Sequence, residues 1–278
     1  MCYPKLALPI LLTLGFSASA FAANSGTDNA AQPAYDTGGV WENGSNGEAT
    51  GDAFLPWSLA TSGTGYAGFF IGDSTTLDSP GADINTSGSS WGIYANGDST
   101  TPESASAQRN FTADGSTVSG LDVGQTFSID IAVNYNSGGD KGLNLLDSNG
   151  DTLFDLNIGE GAYAVNNATT GNGNLADQNY SSDTAFALTF TQTSLTSGTW
   201  TIVRSGGETD TDGGTYTGDA AGIKLYVTDT TTNGPQDDFF ANNLAITGAA
   251  VPEPATLGLL ACGTGVLLLW KRSRRRTA

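Results

Sequence analysis

The chain has 278 residues, 28 acidic against 10 basic, two cysteines and no histidine. Without histidine the commonest general base, the Ser-His triad and most zinc sites are excluded. Cys2 and Cys262 lie in the two terminal segments, so the middle has neither a disulfide framework nor a cysteine nucleophile. Of the cations, Arg109, Lys141, Arg204 and Lys224 alone lie among the acids, a balance that repels phosphate backbones and argues against nucleic acid as partner.

In chain order, Lys5 precedes an apolar run over residues 6–16, and small residues follow at Ser17, Ala18, Ser19, Ala20 and Ala22. This predicts a secretory signal peptide over residues 1–22, cut by signal peptidase and handled by the export machinery. Residues 23–50 are mostly Gly, Asn, Thr and Ala and are expected to form a flexible leader.

A sandwich ectodomain is expected over 51–248. There the pattern turns to period two, the mark of half-buried strands. Phe127, Ile129, Ile131, Val133 and Tyr135 alternate with polar residues. So do Phe154, Leu156 and Ile158; Phe186, Leu188 and Phe190; Ile223, Leu225 and Val227; and Leu244 with Ile246. Shorter candidates lie at 68–71, 91–94, 162–165 and 200–203. Ser148-Asn149-Gly150-Asp151 sits between two apolar pairs as a hairpin turn. About ten strands with one wet face each predict an all-β, two-sheet antiparallel sandwich.

Candidate chemistry in the middle is sparse. Glu208-x-Asp210-x-Asp212-Gly213, with Asp219 at the twelfth place, has the spacing of a loop that wraps calcium in carboxylate oxygens; the alternative is a solvated acidic hairpin. Calcium is the one cofactor this suggests. A glycoside hydrolase needs two carboxylates facing each other about 5 to 9 Å apart. No strand pattern supplies them, and Glu160 stands alone in a Gly-rich turn, so no enzyme is expected. Trp41, Trp57, Trp91 and Tyr94 could stack on sugars if exposed, or pack the core.

The end of the chain reads Pro252-Glu253-Pro254, an apolar stretch over 255–270, then Lys271, Arg272, Arg274, Arg275 and Arg276. Sixteen residues of helix span about 24 Å, which Trp270 and snorkelling arginines extend toward a ~30 Å hydrocarbon core. The cations act as a cytoplasmic stop and place the rest of the chain outside.

These three parts in this order resemble the PEP-CTERM sorting signal, here residues 249–278. The resemblance implies a Gram-negative, exopolysaccharide-producing source and an exosortase partner that recognises Pro252, Glu253 and Pro254. The protein would be held in the inner membrane by its C-terminal transmembrane helix before processing, and then reach the cell surface or the medium. A second resemblance, to concanavalin-like jelly rolls, is carried by Trp41 and Trp57, Trp91-Gly92-Ile93-Tyr94-Ala95-Asn96, Phe127-Ser128-Ile129-Asp130, Lys141-Gly142-Leu143 and Asn242-Asn243-Leu244-Ala245-Ile246. Together they imply a structural or adhesive surface protein in an exopolysaccharide or biofilm setting. The alternatives are a lectin-like module binding polysaccharide and, behind it, a glycoside hydrolase.

Overall fold

A computed structural model describes residues 24–248, apart from 36–37, 49, 78–80, 98–99, 135–137, 160–161, 168–170, 176–180, 182, 208 and 231–236. Its strands are β1 (Gly26–Asp28), β2 (Ser58–Ser62), β3 (Ala67–Gly72), β4 (Ser90–Ala95), β5 (Ser104–Asn110), β6 (Thr126–Ala132), β7 (Asp140–Leu146) and β8 (Thr152–Gly159). They continue with β9 (Ala162–Asn167), β10 (Gly171–Asn174), β11 (Ala185–Ser194), β12 (Ser197–Ser205), β13 (Asp210–Thr217), β14 (Gly222–Thr228) and β15 (Phe239–Thr247). Two short 3-10 turns, Pro33–Tyr35 and Ser74–Leu77, complete the described elements.

The strands form two antiparallel sheets. One runs β13-β12-β11-β6-β15-β4-β3, with β1 also paired to β15; the other runs β10-β9-β8-β7-β14-β5-β2. Period two explains the layering: Phe127, Ile129 and Ile131 of β6 point inward and meet Ile223, Leu225 and Val227 of β14 in one core. Trp41, Trp57 and Trp91 fill one end of it, with ring centroids 4.8 Å apart for the first two. A smaller cluster of Leu77, Ala82, Ile84, Ala132 and Phe240 covers part of the outer side of the eight-stranded sheet.

Near its middle β15 carries a bulge between Asn242 and Ala245, with Asn243 at φ 57°. Asparagine tolerates this left-handed conformation better than most residues. Asn242 fastens the bulge: its Nδ2 donates to the carbonyls of Ile84 and Ser89, both at 2.9 Å, and its Oδ1 accepts from the Ala30 amide.

Three of the four cations in this part of the chain are core residues. Arg109 of β5 is fully buried and pairs at 2.9 Å with Asp28 of β1, on the opposite sheet. Its guanidinium also donates to Tyr35 Oη and Asn46 Oδ1 and lies over the Phe54 and Trp57 rings. Lys141 of β7 is fully buried and reaches the carbonyls of Asp237 and Asp238 at 3.3 and 3.4 Å, just before β15. Arg204 of β12 lies over the Tyr163 ring of β9 and donates to Thr184 Oγ1. Each therefore ties one sheet to the other or to its edge.

The lysine clamp sets a pH dependence. Burial, opposed by Lys141 and reinforced by Asp237, pushes the Asp238 carboxyl up to about 7. A folded pKa above the unfolded 3.8 gives stability that is full at low pH and is lost as pH climbs to about 7. Burial draws the Lys141 ammonium down from 10.5 to about 8, so stability is regained only between about pH 8 and 10.5. The melting temperature should be higher at pH 5 than at pH 7.5. Asp238→Asn should remove a large part of that slope in a thermal melt series, and an unchanged slope would discard Asp238 as its source.

Two expectations from sequence change here. Where residues 23–50 are described they are not a loose leader: β1 pairs with β15, and Asp28, Tyr35 and Trp41 are buried, so the sandwich begins within a few residues of Asn24. A Gly- and Asn-rich stretch needs only one anchor every few residues to be held in place. Within the motif running from Glu208 to Asp219, read as a calcium loop or a solvated hairpin, residues 210–217 are strand β13, paired with β12 along its whole length. Among the described residues no helix is long and apolar enough to cross a membrane; the expected signal peptide and the whole sorting segment lie outside them.

Candidate functional site

The outer face of the seven-stranded sheet carries an ordered polar row. Where β14 turns Ile223, Leu225 and Val227 inward, Lys224 and Tyr226 must point outward. The same alternation puts Gln108 of β5, Asn144 of β7, Asp155 and Asn157 of β8 and Asn166 of β9 on this face. Register then aligns them. Gln108 pairs with Lys224, Lys224 with Asn144, Asn144 with Asp155, and Asp155 with Asn166. One transverse row thus crosses five strands, about 19 Å at ~4.8 Å per strand.

Asp155 is the hub of this row. It accepts from Asn144 Nδ2 at 2.8 Å, Tyr226 Oη at 2.8 Å and Asn166 Nδ2 at 3.0 Å, while Asn157 Nδ2 donates to Tyr226 Oη at 3.1 Å. Burial raises the Asp155 carboxyl above its usual range, and those hydrogen bonds oppose the shift. Burial, then the charge of Asp155, push the Tyr226 hydroxyl well above its own range, so it stays protonated and acts as donor rather than base.

Gly142 lies in the neighbouring row, between Tyr226 and Asn157 in register. A Cβ there would fall 1.9 Å from the Leu156 carbonyl oxygen and 2.8 Å from Tyr226 Oη, so only glycine lets the phenol lie across this strand. Each of the three asparagines commits one N–H to the network. A side-chain amide has a second N–H and a carbonyl oxygen, the mixed donors and acceptors that hydroxyl-rich ligands match.

The aromatic residues singled out from sequence lie elsewhere. Trp41, Trp57 and Trp91 are core residues, at most 2 % exposed, and offer no stacking platform. Tyr94 is half-buried in the eight-stranded sheet beside Phe70. Of the proposed calcium ligands, Glu208 lies outside the described residues. Asp210 and Asp212 share one face of β13 and line, with Leu175, Ile202 and Arg204, a cavity of about 10 Å³, room for about one water. That is below the range of roughly 300–1,000 Å³ typical of small-molecule sites.

Asp219 lies beyond the end of β13 against Gly120. Its carboxyl is raised by burial and by the charges of Asp147 and Asp122. Asp210 and Asp212 are thus brought together and Asp219 is not. Among the described residues no three acidic, cysteine or histidine side chains form a group able to hold a metal. Asp147 is a turn device: its Oδ1 accepts from the amides of Asn149 and Asp151 and closes the β7–β8 hairpin.

Sequence reading missed the outer row. From sequence alone Asp155 and Asn157 are only the wet side of a strand, Lys224 is one of four scattered cations, and Asn144 and Tyr226 carry no motif. The available signal was chemical: outward positions in consecutive strands hold amides, a phenol and a lysine where serine and threonine would serve solubility.

No family model matches the chain, and no curated protein matches it in sequence. Among solved structures, a sialidase aligns over 70% of this chain and 17% of its own, at 12% identity and a TM-score of 0.42. A cellulose-induced protein aligns over 70% of this chain and 92% of its own, at 12% identity and a TM-score of 0.40. The alginate lyase of Aplysia kurodai aligns over 69% and 90%, at 12% identity and a TM-score of 0.38. At these scores the likenesses carry no argument about ligand or reaction.

Proposed function

We propose that the protein is an exported surface protein whose sandwich, of concanavalin-like jelly-roll type, binds polysaccharide on the outer face of its seven-stranded sheet. The observation that carries this reading is the Asp155-centred row of Gln108, Lys224, Asn144, Asp155 and Asn166. Its amides, carboxylate and phenol are held by one another before any ligand arrives, which lowers the ordering cost of binding. A glycan chain crossing the strands would meet one polar side chain per strand.

The role is binding rather than turnover. Asp155 already accepts three hydrogen bonds, which commits it to holding the row, and Tyr226 stays protonated and donates. The PEP-CTERM reading of the tail gives such a module an address: the inner membrane during export, then the cell surface or exopolysaccharide matrix after an exosortase has acted.

The test is affinity electrophoresis and a glycan array with the full chain in detergent. Asp155→Asn keeps the shape of the hub and removes its charge, and charge-assisted hydrogen bonds contribute about 1.5–3 kcal/mol. Binding to whichever polysaccharide retards the parent should weaken roughly tenfold or more. Equal binding by Asp155→Asn, or no glycan bound by the parent, would overturn the proposal.

A further inference from the structure

We infer that Lys224 makes this face selective for glycans bearing carboxylates, an inference that rests on the reading of the face as a polysaccharide site. It starts from the distribution of charge. Residues 24–248 contain four cations among nearly all of the chain's 28 acids. Arg109, Lys141 and Arg204 are at most 2 % exposed and are engaged inside the sandwich. Lys224 is therefore the one cation that the described part of the chain presents at its surface.

Its position and its neighbours are both informative. Lys224 sits on β14, a central strand of the seven-stranded sheet, with three strands between it and the β10 edge. Its register neighbours are the amides of Gln108 and Asn144 rather than carboxylates. Asp155 is two strands away, about 10 Å, and already accepts three hydrogen bonds. No salt bridge is formed by Lys224 among the described residues. On a surface this acidic, a lysine used for solubility or for a surface ion pair would stand beside an acid. Lys224 stands between two amides, which together supply N–H donors on either side of an ammonium. That set matches a uronate or another sugar carboxylate, the amides holding its oxygens and the ammonium its charge.

The surrounding acids give the selectivity an unusual salt dependence. At about 10 mM salt the screening length is about 30 Å, so a polyanionic glycan feels the whole acidic domain and is repelled. At about 150 mM it is about 8 Å, and the contact at Lys224 acts with far less opposition. Affinity for an acidic glycan should therefore rise between these two concentrations, the reverse of binding to a basic patch.

The experiment uses the full chain in detergent, with EDTA present so that calcium cannot bridge acid to acid. The probes are matched pairs that differ in charge: polygalacturonate with its methyl ester, and alginate with its propylene glycol ester. The parent should bind at least one acid more tightly than its ester at 150 mM salt, and more tightly there than at 10 mM. Lys224→Met should weaken binding of that acid about tenfold more than binding of its ester, and Lys224→Arg should keep most of the preference. If esters bind as well as acids, or Lys224→Met weakens both alike, selectivity is overturned while the face remains the binding site. If neither acids nor esters are retarded by the parent, and the glycan array is silent too, the site and its selectivity fall together.

Discussion

Asp28→Ala should lower the stability of the sandwich by about 3–5 kcal/mol, the usual cost of leaving half of a buried ion pair unpartnered. Arg109 has no route to water: it is fully buried and held by Asp28 Oδ2 at 2.9 Å, Tyr35 Oη at 3.0 Å and Asn46 Oδ1 at 2.7 Å. Removing Asp28 also takes away the acceptor of the Tyr35 hydroxyl, which in turn accepts from Trp57 Nε1 and the Gly47 amide. The loss therefore spreads to Tyr35, Gly47 and Trp57, and β1, only three residues long and paired to β15 through its backbone, loses its side-chain tie to β5 of the other sheet. For a domain of this size the melting temperature should fall by roughly 6–20 °C.

A double variant separates charge from packing. Asp28→Leu combined with Arg109→Met replaces the pair by apolar groups and should recover most of the loss, because the desolvation penalty disappears with the charges. Denaturant melts of parent, single and double variants are the measurement. A cost below about 1 kcal/mol for Asp28→Ala would show that Arg109 finds another partner or water.

Why some of this was legible in the sequence and some was not comes down to which residues keep period two visible. Phe127, Ile129 and Ile131 alternate with polar residues, and the strand follows directly; so do β8, β11, β14 and β15. Strand β5 hides because its inward positions are Ala105, Ala107 and Arg109, two small residues and a charge. Yet the phase is there: Arg109 continues the alanines, Lys141 leads Leu143 and Leu145, and Arg204 follows Trp200 and Ile202. A cation in phase with an inward-facing series signals a buried clamp, although its partners lie far along the chain and cannot be read locally. β13 hides for the opposite reason. Its Asp, Thr and Gly residues carry no apolar phase before Tyr216, and pairing with β12 alone makes it a strand. The polar row needed register as well as phase, because Lys224 meets Asn144 only once β14 has been placed beside β7.

If residues 249–278 are the proposed sorting signal, replacing Glu253 by Ala, or Pro252 and Pro254 together by Ala, should leave the full-length protein in the inner membrane while its sandwich melts as before. The last described strand ends at Thr247, and β15 is bonded to β6 on one side and to β1 and β4 on the other, so the described sandwich does not draw on residues 249–278. In the proposed sorting reading, the small residues Gly248, Ala249 and Ala250 and the prolines at 252 and 254, which disfavour regular helix, would offer a membrane protease its segment. Beyond the apolar stretch, Lys271, Arg272, Arg274, Arg275 and Arg276 each oppose passage through hydrocarbon by about 2.5 kcal/mol or more. In the same reading they would hold the substrate in place while it is cut. A blot of membrane and medium fractions from a host with an exosortase is the measurement. The parent should appear as a shorter and more acidic species lacking the five cations, and the variants as full-length membrane protein. If the variants are processed like the parent, the segment is a membrane anchor and the sorting reading fails.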